Sequence, residues 1–140
     1  MSPDDPHLLF RHRSRRVRRK PLGEFLAMLE KCVARGRGVT CLISTDAELR
    51  RLNRQFRGKN YAADVLSFPP AEIAISLDRA AAQAEELGHS LDEELRILML
   101  HGMLHLCGMD HETDSGQMLR AETRWRKRLG LPFGLIERAQ

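Results

Sequence analysis

The stretch Ser90-Leu-Asp-Glu-Glu-Leu-Arg-Ile-Leu-Met-Leu-His101-Gly-Met-Leu-His105-Leu-Cys-Gly-Met-Asp-His111 decides the fold. Ser90 followed three residues later by Glu93 is a capping box, in which each side chain satisfies a backbone N–H of the other at a helix start. The run Leu95 to Leu100 is apolar nearly all round, and a helix of that kind belongs in the middle of a domain. It carries His101 and His105, which lie four residues apart and so share one helix face. Gly108 can take the left-handed conformation that ends a helix, turning the chain so that His111 approaches the same point. Three neutral imidazoles suit one Zn2+ ion and leave a coordination position for water or substrate, which points to catalysis rather than a structural staple. The competing reading is three core histidines that merely pack. Three of the chain's six histidines within eleven residues, with glycine at the turn, weigh against it.

Working outward, the remaining elements follow from periodicity and punctuation. Leu8-Leu9-Phe10 reads as a short first strand. Pro21 suits a first helical position, Leu22, Phe25, Leu26, Leu29 and Val33 follow at helical spacing, and Gly36 closes that helix. Residues 39–43 read as a strand. Thr45 with Glu48 forms a second capping box for a helix carrying Leu49, Leu52 and Phe56, ended by Gly58. Val65-Leu66-Ser67-Phe68 is a strand stopped by Pro69-Pro70, and Ile73-Ala74-Ile75 is another, so the two are joined very tightly. Asp78 is placed to cap a helix through Leu87 that Gly88 stops. Asp114 with Gln117 is placed to cap a final helix holding Met118, Ala121, Trp125 and Leu129, ended by Gly130 and Pro132. This alternation gives an α+β fold: a small mixed sheet of about four strands surrounded by helices, with the histidine helix buried at the centre.

The 140 residues fit a single domain spanning 1–140, with residues 1–20 as a basic N-terminal segment. No apolar run reaches the ~18 residues needed to cross a bilayer, and the N-terminus lacks the apolar core of a signal peptide, so a cytoplasmic location is expected. Cys32, Cys41 and Cys107 show no paired spacing and read as reduced thiols. Cys107, two residues past His105 and on another helix face, reads as a packing residue. The formal net charge is +4, yet residues 11–20 alone carry seven Lys/Arg and no acid, so the rest of the chain is net acidic. Such a cluster attracts polyanions, nucleic-acid phosphates above all; the alternative is a solvated arm that keeps an edge strand soluble.

An open zinc site supports hydrolysis, because the ion lowers the pKa of bound water and polarises a phosphoryl or carbonyl oxygen. The spacing His-x3-His-x5-His matches the metzincin protease motif. That motif needs Glu directly after the first histidine as general base, and here Gly102 stands there, which counts against a metalloprotease. Phosphodiester cleavage depends more on cationic stabilisation of phosphate. Arg57, in the stretch Phe56-Arg57-Gly58-Lys59-Asn60, can fork onto phosphate oxygens, and Lys59 can add a point charge. An ordinary basic helix C-terminus would look the same. A third possibility is a non-catalytic RNA- or ribosome-binding protein with structural zinc.

His101-Gly-Met-Leu-His-Leu-Cys-Gly-Met-Asp-His111 resembles the HGxLHLxGYDH signature of the YbeY family. Leu52-Asn-Arg-Gln-Phe-Arg-Gly-Lys-Asn60 followed by Asp64-Val-Leu-Ser-Phe-Pro69 resembles that family's LNxxYRGKDxPTDVLSFP region. Ala84-Glu-Glu-Leu-Gly-His-Ser-Leu91 is similar to the segment leading into its histidine helix. The motifs occur in the family's order over roughly residues 38 to 130. The resemblance implies a zinc-dependent endoribonuclease that acts in maturation of the 3′ end of 16S rRNA and in ribosome quality control. Its partners would be ribosomal RNA and the small ribosomal subunit. His101, His105 and His111 would be the zinc ligands, and Arg57 would contact RNA phosphate or stabilise the transition state.

This chain departs from the pattern at defined points. Met109 stands in place of tyrosine, Asn60 in place of aspartate, and Ala62-Ala63 in place of Pro-Thr. Ala71-Glu72-Ile73 stands where the family has Leu-Gly-Asp-Ile, after a much shorter connection, which predicts a more open cleft rim. Asp110, next to His111, is a candidate to support the site from outside the ligand set.

Overall fold

The computed structural model describes residues 7–139. The first six residues of the basic N-terminal segment therefore lie outside the described residues. The chain runs β1 (Leu8–Phe10), α1 (Arg19–Cys32), β2 (Thr40–Ser44), α2 (Asp46–Arg57), β3 (Val65–Phe68), β4 (Glu72–Ser76), α3 (Leu77–Leu87), α4 (Leu91–Leu106), α5 (Gln117–Leu129) and α6 (Leu135–Arg138). The four strands form one mixed sheet in the order β1-β2-β4-β3. β1, β2 and β4 are parallel, and β3 pairs antiparallel with β4 in the register Phe68↔Glu72 to Val65↔Ile75. The tight connection expected at Pro69-Pro70 is thus a hairpin with a three-residue loop, 69–71.

Strand alternation divides the core between the two faces of the sheet. Leu8, Cys41, Ile43, Ile73 and Ile75 point to one face, where they pack with Leu22, Leu26 and Leu29 of α1 and with α4. Leu66 and Ala74 point to the other and are covered by Leu49 of α2. α4 touches β3, β4, α1, α3, α5 and α6. Leu95, Ile97, Leu98, Met99, Leu100 and Met103 are buried round its whole circumference, as its unbroken apolar run requires. Truncating any of these leucines to alanine would cost about 2–5 kcal/mol, because so enclosed a site relaxes poorly around a cavity.

The helix ends follow the sequence punctuation at some points and depart from it at others. Ser90 and Glu93 form the full capping box. Thr45 caps α2 by accepting from the Glu48 N–H, but the Glu48 carboxylate turns to Ser44 Oγ (2.7 Å) and Arg51 instead of completing the box. Its pKa is held below the usual carboxylate range, chiefly by that serine hydroxyl. Ser76, not Asp78, caps α3; Asp78 lies in the first turn, where its carboxylate accepts from the Asp46 N–H and pairs with His12. Asp114 accepts from the Gly116 and Met118 N–H groups at the start of α5. α5 is not the last helix: α6 follows it and closes over α4. α1 begins at Arg19, which puts Pro21 in the first turn rather than at the first position. No disulfide joins the three cysteines. Cys41 is buried, which pushes its thiol up to about 12, whereas Cys107 is exposed and does not pack as expected.

Candidate metal centre

The C-terminal end of α4 builds the site. His101 and His105 project from one face of the helix, with ring centroids 4.8 Å apart. The helix then closes in a Schellman motif: the Gly108 N–H donates to the His105 carbonyl and the Met109 N–H to the Leu104 carbonyl, with Gly108 at φ 91°. This is the left-handed turn expected at Gly108, and a side chain there would strain it. The returning loop carries His111 to within 5.3 Å of the His101 ring and 5.4 Å of the His105 ring. Asp110 orders that loop by accepting from the Glu112 N–H, with its carbonyl accepting from the Thr113 and Asp114 N–H groups.

The nitrogens are arranged for a cation. Potential ligand atoms of the three histidines all lie within 4.8 Å of one another, and no fourth histidine, cysteine or carboxylate joins the group among the described residues. His101 Nδ1 faces Glu122 Oε2 at 2.7 Å, and His105 Nδ1 faces the Met109 carbonyl at 2.9 Å. Both partners are acceptors, so each Nδ1 donates, and Nε2 is the ring nitrogen left to face a metal. A zinc ion about 2.1 Å from each nitrogen would hold them roughly 3.4 Å apart in tetrahedral geometry. His105 is held below the ordinary histidine pKa, first by burial and then by His101, which keeps it in the neutral form a metal takes. The donor set fits a divalent transition ion.

The histidines form one wall of a cleft of about 450 Å³. Arg57, Asp64, Val65, Ser67 and Pro69 line the same cleft, as do Met109, Asp110, Glu112 and Leu135. Arg57 is exposed and meets no carboxylate in an ion pair among the described residues. Lys59, the other cation singled out in the sequence, is exposed but does not line the cleft. Asp64 accepts from the Val65 N–H and from Gln83 Nε2. The exchange of tyrosine for Met109 changes a wall of the cleft but not the contact to His105, which uses the backbone carbonyl.

Sequence reasoning missed Glu122. It is fully buried on α5, and its signal was its place in that helix's apolar stripe, between Met118 and Ala121 on one side and Trp125 on the other. A carboxylate there needs a buried donor, and His101 is that donor. The structure also accounts for Gly102. A Cβ at this position would crowd β3 and β4, 3.0 Å from Ile73 Cγ2 and 3.2 Å from both Ser67 Oγ and Val65 Cγ2.

Fold and site together define a class: a small α+β protein whose buried central helix and the loop after it bring three histidines to an open cleft that an arginine also lines. A family model described as Endoribonuclease YbeY matches residues 14–130, and the chain belongs to that family. It is 54% identical over 144 residues to the Endoribonuclease YbeY of Solibacter usitatus (strain Ellin6076), covering 99% of this chain and 98% of the relative. It is 51% identical over 128 residues to that of Koribacter versatilis (strain Ellin345), covering 87% and 84%. Among solved structures it resembles the solution structure of a Thermotoga maritima protein, with a TM-score of 0.56, 27% identity and 85% of each chain covered. The family match begins well before the motif-bearing stretch that starts near residue 38.

Proposed function

We propose that this chain is a zinc-dependent endoribonuclease that acts on ribosomal RNA, in maturation of the 3′ end of 16S rRNA and in ribosome quality control. Residues 1–140 work as one domain in the cytoplasm; no helix of the described residues is long and apolar enough to cross a membrane. The observation that carries this reading is the convergence of His101, His105 and His111 in a cleft that Arg57 also lines, in a chain of the YbeY endoribonuclease family.

His101, His105 and His111 would hold one zinc ion, with no fourth histidine, cysteine or carboxylate in the group among the described residues. Bound zinc supplies Lewis acidity toward water and a phosphoryl oxygen. Arg57 binds the phosphate and stabilises the charge that develops on it, as a planar fork of donors does best. The exposed arginines of residues 13–18 gather the RNA backbone. The protease alternative lacks its general base, because glycine stands at position 102 where that motif carries a glutamate.

Metal content and RNA cleavage of the purified protein, measured before and after chelation and again after zinc is restored, test the reading. About one zinc per chain, with cleavage lost and regained in step, is the expected result. Zinc bound with RNA left intact would turn the assignment to a binding module, and hydrolysis of an unstructured protein would revive the protease.

A further inference from the structure

Glu122 serves two donors from two different elements. Its Oε2 accepts from His101 Nδ1 at 2.7 Å, and its Oε1 accepts from the backbone N–H of Ile136, in the first turn of α6, at 2.9 Å. A carboxylate offers one oxygen to each N–H donor, whereas glutamine in the same pose would turn its NH2 group against one of them. The carboxylate also depends on Gly134 for room. A Cβ on Gly134 would lie 2.6 Å from Glu122 Cδ and 2.7 Å from its Cγ, well inside van der Waals contact. Gly134 has ordinary negative φ, so its role here is space and not backbone freedom.

α6 is tied down at two further points. Arg126 makes a bidentate pair with Glu137 at 2.9 and 3.0 Å, and Arg138 reaches the buried Glu94 carboxylate, with its Nη1 2.9 Å from Oε1. Leu135, the first residue of α6, lines the histidine cleft. The C-terminal segment and a candidate metal ligand are therefore held by one and the same buried carboxylate.

We propose that Glu122 is a positioning residue that couples docking of α6 to metal binding at His101, His105 and His111. This rests on the reading of those histidines as metal ligands. With its second oxygen fixed by Ile136, the carboxylate cannot rotate away, so it holds the His101 proton on Nδ1 and the Nε2 lone pair toward the cluster. Binding linkage is reciprocal: metal that favours the aligned His101 also favours the docked α6, and loss of α6 weakens metal binding by the same factor.

The test uses the full chain with Zn2+ alone. Zinc affinity is measured by competition with a chromophoric chelator, and amide exchange at Ile136 is followed with and without the ion. In the wild type, Zn2+ is expected to slow exchange at the Ile136 amide, and His101→Ala is expected to abolish that effect. Glu122→Gln should weaken zinc binding by about 10- to 100-fold, the usual consequence of losing such a partner. Gly134→Ala, which alters no histidine, should do likewise. If either variant fails to fold, the zinc-dependent protection of Ile136 in the wild type still decides the matter. Wild-type protein that binds zinc with no change at Ile136, or folded variants that bind it as tightly as the wild type, would overturn the coupling. Wild-type protein that binds no zinc would overturn the metal reading beneath it.

Discussion

Ser67 Oγ donates to the Gly102 carbonyl at 2.9 Å, and this hydrogen bond seats the histidine helix on β3 one residue after its first histidine. The helix comes this close because Gly102 has no side chain: a Cβ would meet Ile73 Cγ2 at 3.0 Å, Ser67 Oγ at 3.2 Å and Val65 Cγ2 at 3.2 Å. The glycine that weakens the protease reading in the sequence is thus a packing requirement of the fold.

Gly102→Ala should therefore lower stability even though alanine favours a helix by about 1 kcal/mol. Overpacking of this kind costs about 1–3 kcal/mol, so a net loss near 1 kcal/mol is expected. Urea unfolding midpoints of the two proteins read the difference directly. A midpoint at or above wild type would mean that Val65 and Ile73 move aside at little cost.

Arg57 and His105 should separate chemistry from metal binding. Arg57→Ala is expected to lower RNA cleavage by roughly 10²- to 10³-fold, the scale seen when one donor to developing charge is removed, while zinc content stays unchanged. His105→Ala should lose both. Full activity in Arg57→Ala would remove that side chain from the mechanism.

The Arg126–Glu137 pair gives α6 an acid-sensitive anchor. Glu137 is held below the usual glutamate range, first by its hydrogen bond from Arg126, with burial opposing. Because the folded-state pKa lies below the unfolded one, its contribution to stability is full above the unfolded value of about 4.3. That contribution is lost as pH falls through the lower, folded value. The gap in thermal midpoint between wild type and Glu137→Gln should therefore be open at neutral pH and close in acid. A gap that stays constant on acidification would show that the pair is not responsible.

The basic segment can be read through salt. Arg11 pairs with Glu48 and Arg19 stacks on Phe10, but Arg13, Arg15, Arg16 and Arg18 are exposed. Reversing the charge of Arg13, Arg15 and Arg16 should weaken RNA binding and flatten its dependence on salt. The log–log slope should fall by about 0.7 for each single-strand phosphate that the segment no longer neutralises. An unchanged slope would leave the segment as a solubility device.

Much of this protein is written in short-range signals. The capping box at Ser90 and Glu93, the four-residue spacing of His101 and His105, and the left-handed Gly108 each act within a turn or two of helix. Those signals determined the buried helix, the facing imidazoles and the return of His111, and the strand runs determined a mixed four-stranded sheet. Local spacing could not decide which groups meet across the fold. Ser76 displaced Asp78 as a cap, Lys59 stayed off the cleft while Arg57 lined it, and Cys107 faced solvent. Glu122 met His101 across 21 residues of sequence, and α6 closed on both because Gly134 left space for the carboxylate. A buried donor and acceptor must pair wherever the packing brings them, so that choice belongs to the tertiary structure and not to the spacing of residues along the chain.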